Sequence, residues 1–533
     1  MKLKPAVKQI LGELPFAAEV YWQIRQNGKP LSKSFSMRRT QKRLPEWRAA
    51  VEASTRRRDS SDGKQALIFA TLRYWIEHAT LMGMALAGLG HQVSLAYLPY
   101  ANWRTSLNRF DLRRHNAYAR SVLGMAAPYV QPVSLLDVKV DQSELPPSLV
   151  EAIRAVSLRD VQYTLQVEDI DLDGQLYHLR LGRNLQAARA ALTWMISNLP
   201  DVVLTPNGSI LEMGAIYQVA CYLGIPVVTY EFGEQRGRIW LAQNAEVMLQ
   251  ETDALWQSRK SLHLTEAQRE QVRELYASRQ RADLWQNFSR RWQGQPGQGG
   301  EQVKADLGLD SRPLVLLPAN VIGDSLTLGR QVFTQTMTEW LLRTVDFFAS
   351  RPQAQLVVRI HPGERYTKGP SVAEVILGAF HDSSQLPENI HLVAADARVN
   401  TYDLVEIADM GLVYTTTVGL EMAMSGVPVI VAGQTHYRDK GFTLDPASWE
   451  AYFQMLDMVL KGPESFRLPK GQVEQAWMYA YRFFFDFPRP FPWHLLHFWN
   501  ELETWPVERV LSAEGQVEFG DTFRYLLGEP EKW

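Results

Sequence analysis

A chain of 533 residues, 46% of them apolar, is too long for one ordinary core and has enough apolar mass for two or three. Its 56 Lys and Arg are balanced by 58 Asp and Glu, which excludes a protein whose main work is coating nucleic acid. The single cysteine, Cys221, rules out an intrachain disulfide framework and, within "YQVACYLGIPVV", reads as a small buried apolar residue.

Residues 1–60 form a leader region. Its stretch from Lys33 to Arg58, "KSFSMRRTQKRLPEWRAAVEASTRRR", holds nine basic residues and two acidic ones. That excess fits a solvated helix surface, or contact with anionic lipid, a phosphorylated glycan lipid or a partner, and its spacing does not describe a membrane-lying helix. The opening "MKLKPAVKQILGELPFAAEVYW" has charges before, among and after its apolar positions, so no signal peptide is read there. No apolar run of about 18 residues occurs. The expected location is cytoplasmic, with the inner membrane face as the surface that a basic leader would reach.

From Lys64 the texture becomes alternating. "KQALIFAT" predicts a buried strand, "YWIEHATLMGMALAGLG" a helix ended by glycine, and "HQVSLAYLP" the next strand. The pattern returns with "PDVVLTPNG" (strand), "SILEMGAIYQVACYLG" (helix), "IPVVTYEFG" (strand) and "AEVMLQ" (a further short strand). Continuously apolar strands separated by helices indicate a largely parallel sheet covered on both faces, so residues 61–250 are expected to be one Rossmann-like domain.

Residues 251–310 are charged and helical in pattern, broken by "GQPGQGG" from Gly294, a flexible junction. A second series fills 311–475: "RPLVLLPANVIGDS", "AQLVVRIHPGE", "ENIHLVAAD", "MGLVYTTT" and "VPVIVAG" as strands, with "QTMTEWLLRTVDFFASR", "NTYDLVEIAD" and "VGLEMAMSG" as helices. The fold class is therefore α/β, two Rossmann-like doubly wound domains facing across a cleft. The region 476–533 is aromatic, with nine Phe, Tyr or Trp between Tyr481 and Trp499. It reads as docking back on the domains, membrane contact being the alternative, and its prolines disfavour a spanning helix.

In an open α/β sheet, ligands bind beyond the carboxyl ends of the strands. There the second domain gathers Arg359, His361, Glu364 and Arg365 in "RIHPGER", where Pro362-Gly363 makes the turn. Arg359, inside the strand, is an internal ion-pair partner or one more cation for a bound anion. His361 and Arg365 are placed to face that anion. Asn320 and Asp324 in "LPANVIGDS" would orient the same ligand. Thr415, Thr416 and Thr417 close another strand and run into a helix with Gly419 and Glu421. Hydroxyls and backbone donors at a helix start form a phosphate receptor, while Glu421 caps, pairs with an arginine or accepts ribose hydroxyls.

The series "RIHPGE", "YTTTVGLEMAMSGVPVIVAG" and "HYRDKGFT" resembles the capsule polysaccharide biosynthesis family, whose members look like two-domain glycosyltransferases of the GT-B type. The resemblance rests on His361-Pro362 and on Thr415 to Thr417 with Gly419 and Glu421. It implies that these loops bind the phosphate portion of a nucleotide-sugar donor. The triple threonine departs from the family's serine pair or serine-threonine pair, so no donor sugar follows. On the acceptor side, Asn207-Gly208 and then Glu231-x-Gly233 also resemble the family. Glu231 and Glu234 are the candidate bases, with Arg236 and Arg238 as neighbours or salt-bridge partners. His78 points over the cleft as a third catalytic candidate or is a surface histidine.

Dispersed histidines and carboxylates predict no metal site and no cofactor. The expected activity is a metal-independent glycosyltransferase moving sugar from a nucleotide-activated donor to a glycan or lipid-linked glycan in surface polysaccharide assembly. The alternatives are a nucleotide-sugar epimerase or hydrolase and a noncatalytic assembly scaffold.

Overall fold

The computed structural model describes residues 4–56, 63–140, 144–233, 235–281, 296–380, 386–462, 466–531 and 533. They divide into two compact units, one from residues 1–160, 171–248 and 489–532, the other from 161–170, 249–488 and 533. Twelve strands occur among the described residues. They are β1 (Gln65–Thr71), β2 (Gln92–Leu98), β3 (Val130–Ser134), β4 (Val202–Pro206), β5 (Val227–Glu231), β6 (Arg238–Gln243), β7 (Leu314–Pro318), β8 (Gln355–Arg359), β9 (Ile390–Val393), β10 (Met410–Val413), β11 (Val429–Val431) and β12 (Arg489–Pro490).

In the first unit the sheet order is β3-β2-β1-β4-β5-β6-β12. The strands from β3 to β5 are parallel; β6 and β12 join antiparallel at one edge. Strand β1, "QALIFAT", buries six of its seven residues because helices cover both faces, which is why it reads as a continuous apolar run. The helix Arg73–Gly88 that follows is buried from Trp75 to Gly88. It is covered in turn by the helix Arg38–Thr55, whose Thr40 hydroxyl donates to Glu77 and whose Ser54 hydroxyl donates to the Gly88 carbonyl. The basic leader thus belongs to this unit, with Phe35, Leu44, Trp47 and Val51 in its core. Phe491, Trp493, Phe498 and Phe523 from the aromatic C-terminal region share that core.

The second unit is a five-stranded parallel sheet ordered β9-β8-β7-β10-β11. Its core forms around Trp340, Phe348, Val358, Leu412 and Tyr452. Both units therefore have the strand order of a doubly wound sheet, in which the chain returns across the first strand to add the fourth on its other side.

Three readings of the sequence need correction. "AEVMLQ" is not a strand: Val247–Leu249 is a short 3-10 turn, and the strand is β6 just before it, half-buried and antiparallel. Strand β3, "VQPVS", was not anticipated; a proline in a five-residue edge strand weakens the apolar pattern. Cys221 is exposed, because its helix, Leu211–Leu223, turns that position away from the sheet.

Candidate functional site

In each sheet the winding reverses beside its first strand, between β1 and β4 and again between β7 and β10, and the loops leaving those strand ends bound the crevice of a doubly wound fold. In the first unit these loops are unusually constrained. Leu72 ends β1 at φ 63, ψ 142, and after β4 the left-handed region holds Asn207 (φ 58), Gly208 (φ 84) and Leu211 (φ 57). Leucine in such conformations costs on the order of 1–3 kcal/mol, which the surrounding packing must over-determine. A Cβ on Gly208 would lie 2.6 Å from Thr229 Cγ2, so only glycine lets the β4 loop lie against β5.

That approach brings Asn207 and Glu231 together. Asn207 Nδ2 donates to Glu231 Oε2 (3.2 Å), and Asn207 Oδ1 accepts from the Ser209 backbone N (3.1 Å) and Ser209 Oγ (2.5 Å). The other Glu231 oxygen accepts from the Phe232 backbone N (3.0 Å). Burial raises the Glu231 pKa, and the two hydrogen bonds oppose that rise. Tyr74, in the first turn of the helix Arg73–Gly88, has its phenol raised by burial and then by the Glu231 charge, which makes it a neighbour that the sequence reading missed.

Behind these loops, Glu212 starts the helix after β4 and lies 3.9 Å from Arg180. Arg180 also pairs with Asp160 and donates to the Trp103 carbonyl (3.0 Å). Arg183 donates to the Asn102 (3.0 Å) and Thr105 (2.8 Å) carbonyls and stacks on Tyr100. These buried guanidinium groups anchor the loop leaving β2. Burial pushes Asp160 up to about 6.

His78 is not a surface residue. It is fully buried, ringed by Tyr230, Phe232, Phe491 and Phe498, and its Nε2 lies 2.9 Å from the Trp493 carbonyl. Burial lowers its pKa to about 4, so the ring is neutral and donates Nε2–H to that carbonyl. Glu234 lies outside the described residues. Arg236 is exposed and Arg238 stands on β6 opposite Pro490 of β12. A second titratable group missed by sequence reasoning adjoins Gly233: His494 Nε2 lies 3.2 Å from the Gly233 carbonyl, and the His494 backbone N donates to Glu501 Oε2 (2.5 Å). Burial lowers His494 to about 4 and raises Glu501 to about 7. The His-x-x-His spacing in "PWHLLHFW" was the available signal, obscured by the aromatic residues around it.

In the second unit the β7 and β10 loops meet through Asn320, whose Oδ1 accepts from the Thr415 backbone N (3.2 Å). Thr435 Oγ1 donates to the Thr415 carbonyl (3.3 Å) and Tyr437 Oη to the Thr416 carbonyl (2.5 Å). The threonine loop is thereby held from three sides. Thr415 Oγ1 is buried without a hydrogen-bond partner among the described residues, and Thr416 Oγ1 makes a long bond (3.4 Å) from the Val418 N. The helix Val418–Met424 has only seven residues, so the expected helix-terminal phosphate receptor reduces to the loop's own donors and hydroxyls. Gly419 is a packing residue: a Cβ there would lie 2.4 Å from Tyr437 Oη.

The β8 loop divides the four charged candidates. Arg359 is buried and donates to the Val393 (3.4 Å), Ala394 and Val399 (3.2 Å) carbonyls; burial lowers its pKa to about 10. His361 Nδ1 accepts from the Gly363 backbone N (3.0 Å), which puts the proton of the neutral ring on Nε2. Arg365 is exposed and donates to the Pro362 carbonyl (3.2 Å). Glu364 accepts from the Val372 N (3.3 and 3.4 Å), and burial pushes it up to about 7. Asp324 Oδ1 accepts from the Ser325 N (2.7 Å) and Oγ (3.3 Å) within its own turn.

Of the three readings offered for Glu421, pairing with an arginine is observed. Its Oε1 meets Arg279 on the helix Glu266–Gln280, and both side chains are buried. A cavity of about 760 Å³ opens among the same helices, with Tyr276, Tyr402, Trp477, Arg467 and Glu421 in its wall. Among the described residues, no three His, Cys, Asp or Glu side chains converge as a metal site requires, and no helix is long and apolar enough to cross a membrane.

No protein-family model matches the chain, and no curated protein sequence does. Among solved structures, it is similar to a KpsC beta Kdo 2,4 transferase of Thermosulfurimonas dismutans at 19% identity, covering 52% of this chain and 79% of that one with a TM-score of 0.34. A UDP-GlcNAc 2-epimerase of Neisseria meningitidis is 12% identical over 79% of this chain and 98% of its own, TM-score 0.23. Sucrose-phosphate synthase of Thermosynechococcus elongatus is 13% identical over 87% of this chain and 100% of its own, TM-score 0.30. These scores carry no argument about activity.

Proposed function

We propose that the chain is an enzyme acting on nucleotide-activated sugars, and that it transfers the sugar to a hydroxyl of a glycan or lipid-linked glycan. The observation that carries this is Glu231: a strand-end carboxylate whose pKa burial has raised, with its two oxygens held by the N–H groups of Asn207 and Phe232. A carboxylate tuned upward and oriented by fixed donors is what removal of a proton from an acceptor hydroxyl requires. In this reading, Glu231 takes the hydroxyl proton as the oxygen attacks the anomeric carbon and the bond to the nucleotide phosphate breaks. A phosphate-binding role is assigned, separately, to the loops of the second unit. There the Nε2–H of His361, Arg365 and the Thr415–Thr417 hydroxyls are the phosphate's partners, with Asn320 fixing the threonine loop. The resemblance of the His-Pro and threonine segments to capsule biosynthesis enzymes supports a surface polysaccharide as the product.

A second reading, epimerisation of the donor sugar or hydrolysis of its phosphate bond, is favoured by Glu364. Its pKa of about 7 gives the second unit an acid-base carboxyl of its own, next to His361. Titrating UDP-, GDP- and CMP-sugars into the full chain by calorimetry, followed by product analysis with and without glycan acceptors, tests both. A new linkage supports transfer, an altered or hydrolysed donor supports the second reading, and binding without turnover indicates an assembly scaffold. Failure of every nucleotide sugar to bind at millimolar concentration would sink the proposal.

A further inference from the structure

The N-terminal segment leaves much of its apolar surface outside. The helices Pro5–Glu13 and Ala17–Arg25 form a hairpin whose turn holds Phe16 at φ 58. Charged residues would normally face water and apolar ones the protein. Here only part of the apolar set, Ala18 and Trp22, is buried, while charged side chains around it pair with the helix Arg109–Leu123 of the same unit, Glu13 and Arg109 staying mostly exposed. Lys8 Nζ reaches Asp111 (2.8 Å), Glu13 pairs with Arg109, and Glu19 pairs with Arg113 (2.6 Å). Arg113 also donates to the Gly12 (3.0 Å) and Leu14 (2.7 Å) carbonyls. Gly12 lies so close that a Cβ would come 3.0 Å from the Phe110 backbone N.

What is left outside is two apolar rows. Val7, Ile10 and Leu14 recur at helical spacing on the first helix, and Phe16, Val20 and Ile24 at four-residue spacing on the second. All six are exposed, Ile10, Phe16 and Ile24 by 66, 75 and 67%. At the open end of the hairpin stand exposed Lys4, Arg25 and Lys29. Residues 4–56 carry eleven Lys and Arg and four Glu. Those four glutamates are all taken by arginines: Arg109, Arg113, Arg43 and Arg56. The cations at the mouth of the apolar face are thus not neutralised by this segment's own acids.

From this juxtaposition we propose that the hairpin 5–25 is an interfacial anchor, seating Val7, Ile10, Leu14, Phe16, Val20 and Ile24 among the acyl chains of an anionic bilayer while Lys4, Arg25 and Lys29 meet its headgroups. An apolar helix face flanked by cations binds such a surface by two additive terms, burial of apolar area and attraction to anionic lipid, without spanning it. This inference does not depend on the proposed reaction, because it is read from lipid binding alone.

The test is co-sedimentation of the full chain with phosphatidylcholine vesicles, with and without 30 mol% phosphatidylglycerol (about one lipid in three), near 50 mM and near 500 mM salt. The full chain should pellet with the anionic vesicles at low salt and less at high salt or without phosphatidylglycerol. The variant Ile10→Ser/Phe16→Ser/Ile24→Ser should need at least about tenfold more lipid, with an unchanged circular dichroism spectrum and unfolding midpoint, since these side chains bury little area on folding. Lys4→Glu/Arg25→Glu/Lys29→Glu, which leaves the apolar rows intact, should lose the preference for phosphatidylglycerol. This second variant keeps the test decisive if the first misfolds. Vesicle binding that is absent, or unchanged in both variants, overturns the proposal. So does a lipid-free oligomer, seen by light scattering, that the serine variant converts to monomer and vesicles do not, because a second copy would then cover the face.

Discussion

Arg279→Met is the substitution that most directly separates a structural from a ligand-binding role for Glu421. The two side chains are 4 and 3% exposed and in direct contact, so both charges have lost their water. Removing the guanidinium leaves a carboxylate buried without its counter-charge, a change that costs about 3–5 kcal/mol. At roughly 2–4 °C per kcal/mol for a unit of this size, the thermal midpoint should fall on the order of 10 °C. Arg279 also stacks on Phe484, with its guanidinium carbon 4.8 Å from the ring centroid, a contact that methionine partly retains. The double variant Arg279→Met/Glu421→Leu should recover most of the loss, because an apolar pair of similar volume replaces a buried ion pair at little net cost. Urea unfolding of the full chain by circular dichroism, with the transition of the second unit followed separately, gives the coupling energy of the cycle. A loss below about 1 kcal/mol, or a double variant no better than the worse single one, would refute the reasoning and return Glu421 to the list of ligand contacts.

Further outcomes follow from the same structure. Glu231→Gln should leave nucleotide-sugar affinity within a few-fold and lower turnover by about 10²-fold or more; wild-type turnover under saturating substrates would make Glu231 structural. The acid limb of the wild-type rate profile should titrate above the usual carboxylate range, since burial raises Glu231, and the Gln variant should lack that limb. Gly419→Ala should cost about 1–3 kcal/mol, because the new methyl would lie 2.4 Å from the hydroxyl of fully buried Tyr437; an unchanged urea midpoint would show that the helix can shift. Glu77, raised from 4.5 to about 7 by burial despite its bonds to Thr40 and Arg73, binds its proton more tightly folded than unfolded. Its contribution is therefore full below pH 4.5 and lost as pH rises through about 7, so wild type should lose up to about 3 kcal/mol relative to Glu77→Gln between pH 4.5 and 8. A pH-independent difference between the two would contradict that assignment.

The strands and helices of both sheets were legible locally wherever one chain segment carries the whole signal. "QALIFAT" and "QLVVR" announce β1 and β8 because a strand buried on both faces must be apolar throughout. Glycine at position 224, in the left-handed conformation, ends the helix before β5 as its place in "CYLGIP" implies. The candidate residues at the strand ends were legible for the same reason, since winding order alone puts Asn207, Glu231, Asn320 and Thr415 at the carboxyl edge. What each side chain does there depended on partners far away in the chain, and no local pattern encodes them. Glu421 lies on the helix-period apolar pattern, yet its partner Arg279 is 142 residues distant. Arg359 spends its donors on carbonyls from the next strand and its loop, and His78 is enclosed by aromatic residues from β5 and the C-terminal region. The N-terminal hairpin shows the same division most sharply. Its sequence shows only charges before, among and after the apolar positions, and which side chains look outward was decided by packing against the helix Arg109–Leu123. Ala18 and Trp22 take the inner positions, ion pairs with that helix hold the rim, and Val7, Ile10, Leu14, Phe16, Val20 and Ile24 are left to the solvent.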